Sequence, residues 1–272
     1  MDIRDINMEP FEYTYSKTAG RVVQAIFKLQ KDLLDLYIGV EKLPQYPIDI
    51  NAPINQILIK DFIARITEEL GEAYESYLWL YNWVRGDQAH DRETAVQKLY
   101  NFNEEIADAI HFLVEALIFT GITPTVLNQH ISQFNFPEYM PDDREDTYNL
   151  IRDTPMIYQG RPYDGGQIAL PHLLDNPLTR GGQSSSPNMR GILAERMWGV
   201  TYFLQIARNA LKNKPWKQSQ MLSDGKVYRT NMVYAFMELV ALCQYMGMAE
   251  KHFFAIYWAK NQVNHFRIQS KY

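Results

Sequence analysis

The sequence predicts an all-α protein, a helical bundle carrying one long irregular insertion. Three observations predict it. Apolar residues recur at i, i+3 and i+4 over most of the 272 residues. No alternating strand pattern runs long enough to suggest a sheet. Prolines and glycines gather between the periodic segments, where they punctuate helices.

In chain order, the spacing predicts helices over 19–40, 55–85, 95–121, 123–132, 190–214, 228–246 and 249–269. Lys42 to Pro53 holds three prolines and reads as a connection. The second helix carries an apolar stripe of Ile66, Leu70, Ala73, Tyr77 and Leu80. The third turns apolar nearly all round after Asp108, which marks it as central. Residues 135–190, with PEYMPDD, QGRPYDGG and RGGQSSSPN, predict an irregular insertion or lid. The domain plan is therefore an N-terminal helical part over 1–134, the insertion over 135–190, and C-terminal helices over 191–272 that complete the same bundle.

A shift of 126 residues aligns Ile66 with Ile192, Glu69 with Glu195 and Gly121 with Gly247. In that register Glu72, Glu105 and Asp108 fall on Trp198, Asn231 and Tyr234. Such a repeat describes a pseudo-twofold bundle in which only the first copy keeps its acids.

Composition excludes several functions. With 46% apolar residues the chain can bury a sizeable core. A net charge of −5 without a Lys/Arg cluster argues against a nucleic-acid groove. The single cysteine, Cys243, rules out an internal disulfide framework. The start, MDIRDINMEP, lacks an apolar signal region, and Ala109 to Ile122 is interrupted by His111 and Glu115 and too short to span a bilayer. A cytoplasmic protein with no membrane partner is expected. Six scattered histidines and no cysteine pair disfavour zinc.

Two acidic pairs carry the chemistry: Glu69-Leu-Gly-Glu72 and Glu105-Ile-Ala-Asp108. Residues three apart project from one face of a helix. Two such helices packed together bring four carboxylates into one cleft. At roughly 5 Å and an effective dielectric of about 20, each like-charged pair costs on the order of 3 kcal/mol. Divalent cations relieve that repulsion, and all-oxygen sites suit Mg²⁺ or Mn²⁺, ions that commonly accompany phosphates. Helical geometry sets Glu69 and Glu72 at the border of the apolar stripe, with Glu68 and Glu75 nearly opposite it. Glu105 and Asp108 share a flank with Asn101, Phe112, Ala116 and Phe119, and too few basic residues lie near in sequence to pair with them. Glu104 and Glu115 point elsewhere and read as ordinary helical charges.

A second cluster lies on the last helix. Lys260, Asn264, Arg267 and Lys271 fall at i, i+4, i+7 and i+11, so they line one ridge. Cations with an amide between them suit polyphosphate oxygens and a sugar hydroxyl.

Together these segments resemble the dimeric all-α dUTPases, the phage dCTP pyrophosphatases and the wider MazG-type all-α NTP pyrophosphatases. That family carries ExxE on one helix and ExxD on the next, continued here as Asp108-Ala-Ile-His111-Phe112. Its C-terminal signature resembles Lys260, Asn261, Asn264, Phe266, Arg267 and Tyr272, with departures at Ile268 and Lys271. Its first-helix L-Q-x-x-L-N-D resembles Leu29-Gln30 through Leu33-Leu34-Asp35, where Leu34 replaces an Asn linked to base reading. The resemblance covers 25–35, 60–121 and 252–272.

The resemblance implies an all-α NTP pyrophosphatase fold, a homodimer, and Mg²⁺-dependent hydrolysis of a deoxynucleoside triphosphate to monophosphate and pyrophosphate. Two or three Mg²⁺ ions, or Mn²⁺, would sit on Glu69, Glu72, Glu105 and Asp108, with Glu69 handling the water. Lys260 and Arg267 would meet phosphates, Asn261 and Asn264 the sugar or phosphate, and Gln30 the base edge, with Trp79, Trp83 or Tyr272 as stacking walls. dUTP is the expected substrate, with dCTP, dTTP or a modified pyrimidine nucleotide as alternatives, and nucleotide-pool control, in a phage for example, as a setting. A non-catalytic helical scaffold or inactive paralogue is the rival of another class. A di-iron centre is disfavoured, since only Asp108-x-x-His111 approaches its Glu-x-x-His motif.

Overall fold

The computed structural model describes residues 3–18, 21–84, 92–131, 157–158, 161–162, 189–213, 221–245, 248 and 250–270. The fold is all-α. Eight helices are described: α1 (Glu9–Thr18), α2 (Val22–Glu41), α3 (Pro53–Val84), α4 (Arg92–Phe119), α5 (Pro124–Ile131), α6 (Met189–Ala210), α7 (Gly225–Tyr245) and α8 (Glu250–Gln269). Within the expected insertion, Ile157–Tyr158 and Arg161–Pro162 pair antiparallel, Ile157 opposite Pro162. Met189 and Arg190 at its end belong to α6, and the rest of the insertion lies outside the described residues.

Local chemistry sets the ends. Lys42, at φ 55°, caps α2 in the left-handed conformation that closes many helices. Pro53 and Pro124 each open a helix, where the missing N–H is no loss. At the end of α4, Gly121 takes φ 73° and Ile122 N–H donates to Leu117 O at 2.9 Å. Asp224 Oδ1 accepts from Val227 N–H at the start of α7.

Helix α1 is the one described helix that periodicity did not predict. Its sequence EPFEYTYSKT is too polar to show a stripe, and it is held by Phe11. That ring is fully buried, with centroids 5.6 Å from Phe254 and 5.8 Å from Trp258. The partners come from the far end of the chain.

Helices α3 and α4 pack along their length, as do α6 and α7, and α8 lies against α2 and α4. The predicted α3 stripe is buried at every position, and α4 is enclosed on nearly all sides beyond Asp108. Phe119 stacks on Phe62 with centroids 5.5 Å apart. The connection before α3 is tied to the one before α7 by polar groups. Gln56 Nε2 donates to Ile50 O and Ser223 Oγ, and Asn213 Nδ2 donates to Asn51 O.

The two helical pairs repeat. Val84 and Ala210, Phe119 and Tyr245, and Pro124 and Glu250 end or begin helices 126 residues apart. The capping bond from Ile122 N–H to Leu117 O has its counterpart in Met248 N–H to Cys243 O, also 2.9 Å. Phe102 and Tyr228, Ile106 and Met232, and Leu113 and Leu239 are buried in both copies. On the first helix of each pair the buried faces match one residue later: Ile66 with Leu193, Leu70 with Met197, Tyr77 with Leu204. The counterpart of Glu69 is therefore Arg196 rather than Glu195. Arg196 pairs with Glu238 at 3.3 Å. With Asn231 and Tyr234 opposite Glu105 and Asp108, the second pair lacks the acids of the first.

Candidate metal centre

Helices α3 and α4 bring three of the four predicted acids together. One carboxylate oxygen each from Glu69, Glu105 and Asp108 lies within 4.8 Å of the others. Glu72 is exposed and stands outside this close group. Its position about 120° from the centre of the α3 stripe turns it toward solvent. Its charge still reaches Glu69 and Glu105, whose protons it helps to retain.

Crowding is visible in the protonation of the group. Burial first, then the charges of Asp108, Glu105 and Glu72, hold the Glu69 carboxyl well above the usual range. Burial and Asp108 raise Glu105 likewise. Asp108 is also raised, by burial above all, although Lys260 pulls the other way. Three half-buried carboxylates so placed fit a hard divalent cation, which would relieve their mutual repulsion.

Few basic residues lie near these acids in sequence, and the cation that pairs with them comes from elsewhere in the chain. Lys260 Nζ sits 2.7 Å from Asp108 Oδ2 and 2.6 Å from Glu104 Oε1, and its side chain is 4% exposed. The partner comes from α8, more than 150 residues along the chain, so sequence neighbourhood could not reveal it. Burial works against the ammonium form, but the two carboxylates outweigh it and Lys260 titrates above its usual value. Glu104, read as an ordinary charge, is thus part of the site. It stands four residues before Asp108, on the same face of α4, and that spacing was the available signal.

Arg267 is exposed, one ridge position beyond half-buried Asn264, and its charge is felt at Asp108 and at Tyr37. Asn261 is fully buried instead. Its Nδ2 donates to Leu29 O at 3.4 Å and its Oδ1 accepts from Gln262. The Lys271 and Tyr272 side chains and that of Trp83 lie outside the described residues. Trp79 is half-buried against the core.

Gln30, expected at a base edge, is fully enclosed. Its Nε2 donates to Glu115 Oε1 at 2.9 Å, and its Oε1 accepts from Tyr257 O–H at 2.6 Å. Reaching a ligand requires exchanging one of those bonds. Glu115 is a correction among the acids, because it is buried rather than solvated. Burial pushes its carboxyl up to about 8 against the pull of Arg65. His111 completes this inner cluster, stacked on Tyr257 with centroids 4.2 Å apart and bonded through Nδ1 to Ala107 O. Burial lowers it to about 3, and it stands apart from the acid cluster. Tyr257 was missed as a site residue; it lies one turn before Lys260 on the same side of α8.

No family model, curated protein or solved structure matches the chain. Among the described residues, no helix is long and apolar enough to cross a membrane.

Proposed function

We propose that this chain is a divalent-cation-dependent deoxynucleoside triphosphate pyrophosphatase, releasing pyrophosphate and the monophosphate. The observation that carries the reading is the convergence of Glu69, Glu105 and Asp108 with a buried lysine, on the helices whose motifs resemble that class. A deoxynucleoside triphosphate needs what this arrangement offers: oxygens for hard cations, and cations for phosphate oxygens.

Glu69, Glu105 and Asp108 would hold Mg²⁺ or Mn²⁺, with Glu72 at the solvent edge for a further ion. Bound there, such ions neutralise the triphosphate and acidify an attacking water. The chain's own groups supply the rest. Glu69, at the border of the α3 stripe and beside Glu105 and Asp108, would orient the attacking water or accept its proton. Lys260 and Arg267 would place positive charge where negative charge develops on the phosphates. Asn264, half-buried between them on the ridge, suits the sugar or a phosphate oxygen. Gln30 and Asn261 hold α2 against α4 and α8 behind the site.

dUTP is the first substrate to test, followed by dCTP, dTTP and modified pyrimidine nucleotides, since Leu34 is fully buried where a polar base reader would stand. A homodimer acting in cytoplasmic nucleotide-pool control fits the same reading. The experiment is a pyrophosphate-release assay across the deoxynucleoside triphosphates with and without Mg²⁺. Turnover should require the ion and fall at least 100-fold, about 2.7 kcal/mol of barrier, in Glu69→Gln and Asp108→Asn. Unchanged turnover in both variants overturns the site. Absence of turnover with every nucleotide, in a wild-type protein that still binds Mn²⁺, favours the non-catalytic scaffold.

A further inference from the structure

The position of Lys260 raises a question that the pyrophosphatase reading leaves open. A residue suited to phosphate is here committed to two carboxylates, one of which belongs to the candidate metal set. Asp108 Oδ2 and Glu104 Oε1 lie 2.7 and 2.6 Å from the same ammonium, and Glu104 is outside the group of three converging acids. The lysine therefore has one contact that a divalent cation would contest and one that it would not.

The elements explain the arrangement. Glu104 and Asp108 are one turn apart on α4, so a single ammonium approaching from α8 reaches both. Lys260 is buried, so its stem is enclosed, and its ammonium end is held between the two carboxylates. Glu104 is the more open of the two acids, at 28% exposure against 19% for Asp108. Charge-assisted bonds of this length are among the stronger polar contacts, and a cation entering the acid cluster meets like charge at Nζ.

Resting on the pyrophosphatase reading, we propose that Glu104 is a positioning residue that keeps Lys260 tethered at the cleft. The ammonium thereby serves as the counter-ion of Asp108 in the cation-free protein and cedes that carboxylate to a divalent cation without leaving the site. Lys260 is then a built-in competitor of the metal. Once displaced from Asp108 and still held by Glu104, it has donors free for an anionic phosphate group. No covalent bond is broken in the exchange; the ion pair between the ammonium and Asp108 gives way to coordination of a divalent cation by that carboxylate.

Manganese(II) titration of the substrate-free protein, followed by calorimetry and by the loss of free-Mn²⁺ electron paramagnetic resonance signal, tests this directly. Lys260→Met keeps the buried stem and removes the charge, so Mn²⁺ should bind roughly tenfold tighter or more. In Glu104→Gln the ammonium loses its tether and rests on Asp108 alone, so Mn²⁺ should bind several-fold weaker. With Mn²⁺ saturating, inorganic pyrophosphate should bind more weakly to both variants than to wild type. Wild-type protein that binds Mn²⁺, with unchanged Mn²⁺ affinity in both variants, overturns the inference and leaves the pyrophosphatase reading standing. Wild-type protein that takes up no Mn²⁺ removes the metal centre and the inference together. Circular dichroism establishes that each variant is folded, and a Lys260→Met protein that fails to fold leaves Glu104→Gln to decide.

Discussion

At Glu115 and His111, one turn apart on α4, burial acts on opposite charges with opposite consequences for pH. The Glu115 carboxyl stands at about 8 in the folded protein, against about 4.5 for an ordinary glutamate. Between those values the native state keeps a proton that the unfolded chain has released, so stability falls as pH rises through the window. Glu115→Gln keeps the bond from Gln30 and has no charge to bury. It should flatten that decline and leave the protein more stable at pH 9 by on the order of 2 kcal/mol, read by urea denaturation at pH 6 and pH 9. For His111 the sign reverses. Its folded value of about 3 lies below the ordinary 6.5, so it contributes stability above pH 6.5 that is lost as pH falls toward 3. The acid limb of the same stability profile should be shallower in His111→Phe. Neither burial was legible in the sequence: Glu115 interrupts an apolar run but gives no sign of its partner on α2.

Helix α4 is the element on which both core and site depend. Its first half presents Glu105 and Asp108 toward α3 and α8, and its second half is enclosed by apolar neighbours. Phe119, fully buried against Phe62 and edge-on to Tyr46, closes the helix. Phe119→Ala should cost roughly 3–5 kcal/mol in denaturant unfolding, the range for emptying a buried aromatic site. Just beyond it, Gly121 holds φ 73°, and an added Cβ would come within 3.3 Å of Pro47 Cβ. Gly121→Ala should cost about 1–2 kcal/mol by the same measurement, since both the backbone and the neighbouring loop resist it. The periodicity of α3 and α4 was strong enough to place both helices within a few residues and to orient their apolar faces. The polar aromatic run of α1 was not, because its burial depends on Phe254 and Trp258.

Across the whole molecule, the candidate metal centre couples segments that are far apart in the chain: α3, α4 and α8. A ligand that binds only the assembled arrangement stabilises the entire fold. Mn²⁺ at about one hundred times its dissociation constant should stabilise the wild-type protein by about 2.7 kcal/mol. This reads as a rise in Tm that chelation reverses and that Asp108→Asn largely abolishes. The duplicated pairs set the limit of such coupling. The second pair places Arg196, Asn231 and Tyr234 where the first has Glu69, Glu105 and Asp108, so one copy carries the acids and the other buttresses it through α3 with α6 and α4 with α7.

By itself the sequence determined the helical class, most helix positions and which residues of one helix share a face, because helical spacing turns residue number into direction around an axis. It also indicated the repeat, though one residue out of register on the first helix of each pair. The tertiary structure decided what those directions meet. It removed Glu72 from the close group, enclosed Gln30 and Asn261, buried Glu115, and set Lys260 between Glu104 and Asp108. Such pairings depend on how helices distant in sequence approach one another, and a periodicity read along one helix carries no information about its neighbour.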